Sequence, residues 1–135
     1  MGDDKATDAV IHIMVETVFT ARALGIRLEP LRGTDPGLLL DLARQGMENL
    51  RNLLRGLVGD FRDAKASMLQ DLEKGLPCEV ESINGYLSAM AARAGVAVPV
   101  NDQVTRIIRD IQVGRLPLAF SNLDLIELPP LESYF

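Results

Sequence analysis

"TDAVIHIMVETVFTARALGIRL", residues 7–28, decides the fold. Val10, Ile13, Met14, Thr17, Ala21 and Leu24 share one helical face, and Ile11, Val15, Val18 and Arg22 make a second that is also largely apolar. A helix apolar on two faces is buried on both. It either sits centrally in its domain or has one side covered by a partner. Thr7 or Asp8 is the candidate N-cap, and Gly25 the expected residue just past the last turn.

Downstream, "GTDPGLLLDLARQGMENLRNLLRGLVGDFRDAK" (residues 33–65) places Asp35 as a cap and Pro36 at the first helical position, where its missing N–H costs nothing. Leu39, Leu42, Met47, Leu50, Leu54, Leu57 and Phe61 predict one long helix, bent near Gly46 or Gly59. Their spacing is too irregular for a coiled coil. A third helix is expected from Phe61 or Lys65 to Lys74, stopping at Gly75. Pro77 starts a fourth, with Val80, Ile83, Leu87, Met90 and Ala94 on one stripe and Gly95 at its end. Val98 precedes a proline and is pushed out of the α region. Asn101 is then read as the cap of a fifth helix, with Val104, Ile107, Ile108 and Ile111 inside and Gly114 at the end. The remainder, residues 115–135, has three prolines and no helical period, yet keeps Leu116, Leu118, Phe120, Leu125, Ile126, Leu131 and Phe135. A tail this apolar is expected to be docked on a surface. The domain division that follows is 1–114 for the helical domain and 115–135 for the tail.

Composition agrees with helices. Of 135 residues 47% are apolar but only 4% aromatic, a mixture that suits packed helices better than a β-sandwich. The fold class expected is all-α. A net charge of −5 without a basic stripe argues against nucleic acid as a partner. Cys78 is the single cysteine, so no internal disulfide forms and a reducing compartment fits. With no apolar run of membrane-spanning length and an acidic start, "MGDDKATD", no membrane association and a cytoplasmic location are expected.

Chemistry is concentrated in one stretch, "SMLQDLEKGLPCEVESING" (residues 67–85). Ser67 and Asp71 are four apart and project from one face. Glu79 lies in the first turn of the fourth helix, where the helix dipole favours a carboxylate. Gly85 after Asn84 costs a helix roughly 1 kcal/mol relative to Ala, and such a glycine lets something approach closely. The plain alternative is a capping box with solvated charges and Ser67 facing out. His12 and Glu16, also four apart, have metal-ligand or acid–base spacing, but with no second histidine the simpler reading is a histidine within a buried helix. Cys78 reads as a small packed or partly exposed thiol. Neither glycine-rich phosphate fingerprint occurs.

Residues 65–108 resemble the C-terminal domain of ketopantoate reductases, through Ser67, Met68, Gln70, Asp71, Gly75, Glu79, Ile83, Asn84, Gly85, Gly95, Pro99 and Asn101. Glu16, Ala21, Gly25 and Ile26 extend the likeness to about residues 8–114. The resemblance implies a helical bundle like the C-terminal domain of 6-phosphogluconate-dehydrogenase-type enzymes. It also implies that Ser67, Asp71 and Asn84 bind or support a 2-keto acid, with Glu79 as acid–base partner of a catalytic lysine. NADPH would be held by a Rossmann domain, and no cofactor or metal by this chain. The only lysine early enough to match the family's catalytic one is Lys5, with Ala9 and Ile13 where that pattern has asparagines, and Cys78 replaces a small hydroxyl residue. The chain alone is therefore not expected to be active. Two roles follow: a component of a split NADPH-dependent reductase with a Rossmann-domain subunit as partner, or a homodimeric helical scaffold or small-acid binding module. A homodimer is expected in either case.

Overall fold

The computed structural model describes residues 2–30, 35–58 and 80–135. They form five α-helices, and no strand occurs among them. α1 is Gly2–Ala23, α2 Pro36–Gln45, α3 Met47–Val58, α4 Tyr86–Ala94 and α5 Pro99–Gln112. A π-helical turn, Glu81–Gly85, leads into α4. Two 3₁₀ turns, Phe120–Leu125 and Leu131–Tyr134, close the chain.

α1 is the centre of the bundle. It packs against α2 and α3 on one side and α4 and α5 on the other. The two-faced apolar pattern therefore has its cause within the domain. Ile11, Val15 and Val18 meet Leu39, Leu40 and Ala43 of α2, Leu50 and Leu54 of α3, and Leu131 of the tail. Ala9 meets Val100 and Ile126, with Ile13, Val104, Ile107, Leu123 and Leu128 packed around them. Burying a Leu or Ile contributes about 1.5–3 kcal/mol each, so these clusters supply the drive for closure.

Helix α1 begins at Gly2, before Thr7 or Asp8. Asp8 is instead a bridge to α3: Arg51 donates to both its carboxylate oxygens at 2.7 Å. The other end is as expected. Gly25 is left-handed at φ 72°, and Ile26 N–H donates to Ala21 O at 2.8 Å while Gly25 N–H donates to Arg22 O at 3.1 Å. That pair of bonds satisfies the last carbonyls of the helix. α4 ends the same way at Gly95.

The long second helix is two helices. Gly46 has φ 121° and ψ 173°, a conformation closed to residues with a Cβ, so the chain turns there and restarts at Met47. Asp35 accepts from Gly37 N–H at 2.9 Å and Pro36 is first in α2, as the spacing implied. The expected third helix lies outside the described residues, as do residues 75–79. Ile83, placed on the inner stripe of the fourth helix, is 53% exposed, because the π turn shifts its angular position relative to Val80, which is buried. Val104, Ile107, Ile108 and Ile111 are half-buried, and the fully enclosed residues of α5 are Val100, Asn101 and Thr105.

Candidate functional site

Of the residues singled out from sequence, Ser67, Asp71 and Glu79 lie outside the described residues, as does Cys78. Asn84 lies within them. It sits in the π turn, which is closed by Gly85 N–H donating to Val80 O at 2.7 Å, five residues back. Such turns inside helices often mark functional positions.

Asn84 is pinned from α5. Its Nδ2 donates to Asn101 Oδ1 at 2.8 Å, and Asn101 Nδ2 returns a bond to the Asn84 carbonyl at 2.9 Å. Asn101 Nδ2 also donates to Ser88 Oγ at 2.8 Å, and Ser88 bonds the Asp102 carboxylate. Asn101 is not the helix cap that its sequence position suggested. α5 starts at Pro99, and Asn101 is two residues inside, fully buried. The proline rule that placed Pro36 places Pro99 too, and applying it would have freed the Asn101 side chain for a tertiary role.

The cap of α5 comes from another helix. Val98 offers no side-chain cap. Glu16, fully buried in α1, accepts from Val100 N–H at 3.0 Å and from Asn101 N–H at 2.8 Å. A carboxylate at a helix N-terminus gains from both the free amides and the dipole. Tyr134 O–H from the tail donates to Glu16 Oε2 as well. Burial still pushes the Glu16 carboxyl above its ordinary value, against the hydrogen bonds from Tyr134, Asn101 and Val100, which pull the other way. Burial and the bond to Glu16 both hold the Tyr134 hydroxyl protonated.

His12 completes the chain of bonds, its Nδ1 3.0 Å from Tyr134 Oη. The Tyr134 proton is committed to Glu16, so His12 donates from Nδ1. Burial lowers the His12 pKa, and Asp8 opposes the shift. The His12–Glu16 spacing noted in the sequence thus serves a tyrosine-bridged carboxylate, and no group of three or more metal-ligating side chains occurs among the described residues.

Gly85 has its close neighbour. A Cβ there would come within 2.9 Å of Glu81 Oε2 and 3.3 Å of Arg109 Nη2. Glu81 and Arg109 pair across α5 and the π turn, which holds the Glu81 carboxyl below its usual range. Asn84, Ser88, Asn101 and Asp102 therefore form one hydrogen-bonded network across the π turn, α4 and α5. Glu16 fixes the start of α5, and α5 fixes Asn84 through Asn101.

A family model described as "Ketopantoate reductase PanE/ApbA C terminal" matches residues 1–112. Over 74 residues the chain is 32% identical to a 2-dehydropantoate 2-reductase of Archaeoglobus fulgidus. That stretch is 54% of this chain but spans only 25% of the relative's length. No solved structure matches the chain. No helix among the described residues is long and apolar enough to cross a membrane.

Proposed function

The chain belongs to the ketopantoate reductase C-terminal family, and on that premise we propose that it supplies the substrate-binding wall and dimer surface of an NADPH-dependent 2-keto acid reductase, as one component of a split enzyme. The observation that carries this reading is the double hydrogen bond between Asn84 and Asn101, both inside the matched region. It fixes the far end of the Ser67–Asn84 stretch against the body of the domain. A pocket wall needs that rigidity, because a small misplacement of a binding group costs a large factor in rate.

The described residues contain no strand and no glycine-rich strand-to-helix turn, the parts from which a pyrophosphate cradle is built. They do not fit a dinucleotide, and in this reading NADPH is held outside them, by a Rossmann domain that a companion subunit would bring. Reduction of a keto carbon adds a hydride to carbon and a proton to oxygen. In this reading Ser67 and Asn84 bind the polar groups of the substrate, and Asp71 supports the same site. Glu79 sets the protonation of a lysine brought by the companion. Ile83 and Tyr86, exposed and three residues apart, give the homodimer an apolar contact.

Native mass of the complex purified from its own cells tests the proposal. The expected result is two copies of this chain with a second, larger polypeptide that binds NADPH. That assembly should oxidise NADPH on addition of ketopantoate, and Glu79→Gln should lower kcat by about 100-fold or more. A mass that is a simple multiple of this chain, with no NADPH-binding companion, would leave a homodimeric scaffold or small-acid binding module in its place.

A further inference from the structure

The segment after α5 is built of two 3₁₀ turns, Phe120–Leu125 and Leu131–Tyr134. Turns that short take their order from what they are docked on. Leu125 is 54% exposed and Phe135 47%, so the segment is seated by a few side chains. A segment seated in that way opens at a lower free energy than the helices beneath it.

Its seats converge on the start of α5. Ile126 is buried in one cluster with Ala9 and Val100. Gln103 Nε2 donates to the Glu127 carbonyl at 2.9 Å, and Glu127 N–H donates to Gln103 Oε1 at 2.8 Å. Tyr134 O–H donates to Glu16 Oε2, the same oxygen that accepts from Val100 N–H, and His12 Nδ1 bonds that hydroxyl at 3.0 Å. The Tyr134 ring is steadied by Phe19, 6.3 Å away and tilted by only 21°. Phe19 in turn meets Phe135 edge-on at 5.3 Å. Val100 and Gln103 lie in the first turns of α5, and Glu16 caps them. A segment that merely covered apolar surface would need no oriented bonds to these residues.

The path onward to Asn84 is short. The other oxygen of Glu16 accepts from Asn101 N–H, and the Asn101 side chain exchanges two bonds with Asn84. Lifting the segment takes a donor from Glu16 and admits water, which competes for the carboxylate and for the amides of Val100 and Asn101. The start of α5 then loosens, and the hold on Asn84 loosens with it.

We propose that the C-terminal segment is a strap that sets the position of Asn84, with Tyr134 as a positioning residue acting through Glu16. Seated, the strap holds Asn84 in place; lifted, it releases it. By reciprocity, a molecule held at Asn84 tightens the strap. That this regulates a keto-acid pocket rests on the reductase reading, but the coupling itself does not. A chain without an NADPH-binding companion would remove the reductase and leave the strap standing.

Amide exchange and ¹⁵N correlation spectra of the full chain test the coupling in two variants. Tyr134→Phe removes the donor and keeps the ring. Phe135→Ala loosens the seat of Tyr134 without touching Glu16 or α5, and its half-exposed position keeps the bundle intact. In Tyr134→Phe, the Val100 and Asn101 amides should exchange about threefold faster or more relative to those of Leu40 and Leu50. The side-chain amide resonance of Asn84, remote in sequence from the substitution, should shift as well. Phe135→Ala should move the same signals in the same directions by less. Faster exchange confined to tail amides such as Ser133 would overturn the proposal and leave a tail that is only docked. So would equal acceleration at Leu40 and Leu50, or an Asn84 side-chain resonance unmoved in both variants.

Discussion

The two sides of α1 are held by different physics. Toward α2 and α3, Ile11, Val15 and Val18 meet Leu39, Leu40, Leu50 and Leu54, and closure depends on shape and area. Toward α5 and the tail, the same helix presents His12 and Glu16, both buried. There, closure adds to the apolar contacts of Ala9 and Ile13 a set of hydrogen bonds that have direction. The apolar side should tolerate any residue of similar volume. The polar side should tolerate almost none, because a buried amide that loses its acceptor costs about 1–3 kcal/mol. It is also the side that holds Asn84, so strict geometry and the candidate site coincide.

The comparison breaks most visibly at Glu16. Glu16→Ala strips acceptors from Val100 N–H, Asn101 N–H and the Tyr134 hydroxyl, and is expected to cost about 4 kcal/mol in urea unfolding with an unchanged m value. On the other side, Leu40→Ala should cost about 3 kcal/mol by leaving a cavity. Conservative changes sharpen the contrast: Leu40→Met should stay below about 1.5 kcal/mol, whereas Glu16→Gln, equal in size, should cost about 2 kcal/mol because its amide turns a donor toward a helix N-terminus.

Much of the first region was legible. The apolar periods of α1 and α2, Asp35 with Pro36, and Gly25 as a terminator act in the fold as they read in the sequence, because caps and apolar faces are local codes. Gly46 was marked as a bend, but only its backbone conformation makes it a break. The second region was far less legible. Glu16 reads as a polar residue in an apolar helix, and its partners Val100, Asn101 and Tyr134 lie at least 84 residues away. Backbone amides carry no residue type, so no sequence pattern announces that they need an acceptor. Asn84 and Gly85 drew attention through their rarity in a helix, while the role of Asn101 was hidden by its nearness to the helix start.

Smaller effects follow from the tail. Tyr134→Phe removes one donor to Glu16 and should cost about 1.5 kcal/mol, with thermal unfolding at a lower temperature and Phe19 packing retained. The pH dependence carries two opposed signs. His12 is buried neutral with its pKa below the ordinary 6.5. The unfolded chain thus takes up its proton first, and the His12 contribution is present above that value and lost as pH falls through the lowered one. Glu16, raised above its ordinary value, contributes in the opposite sense, its share being lost as pH rises through the folded pKa. The difference between the parent and His12→Asn, measured by urea unfolding across the acid range, should isolate the first sign. An opposite slope would mean that His12 is charged in the folded protein. Smallest of all, Gly85→Ala should change stability by less than about 1 kcal/mol, since a helix-propensity gain offsets displacement of the exposed Glu81–Arg109 pair.

The central claim is that one buried carboxylate on α1 fixes the start of α5 and, through it, Asn84. Amide hydrogen exchange in Glu16→Gln tests this directly. Val100 and Asn101 amides should exchange about tenfold faster or more than in the parent, relative to Leu40 and Leu50 amides in the same sample. Equal changes in both groups, or none in either, would contradict it.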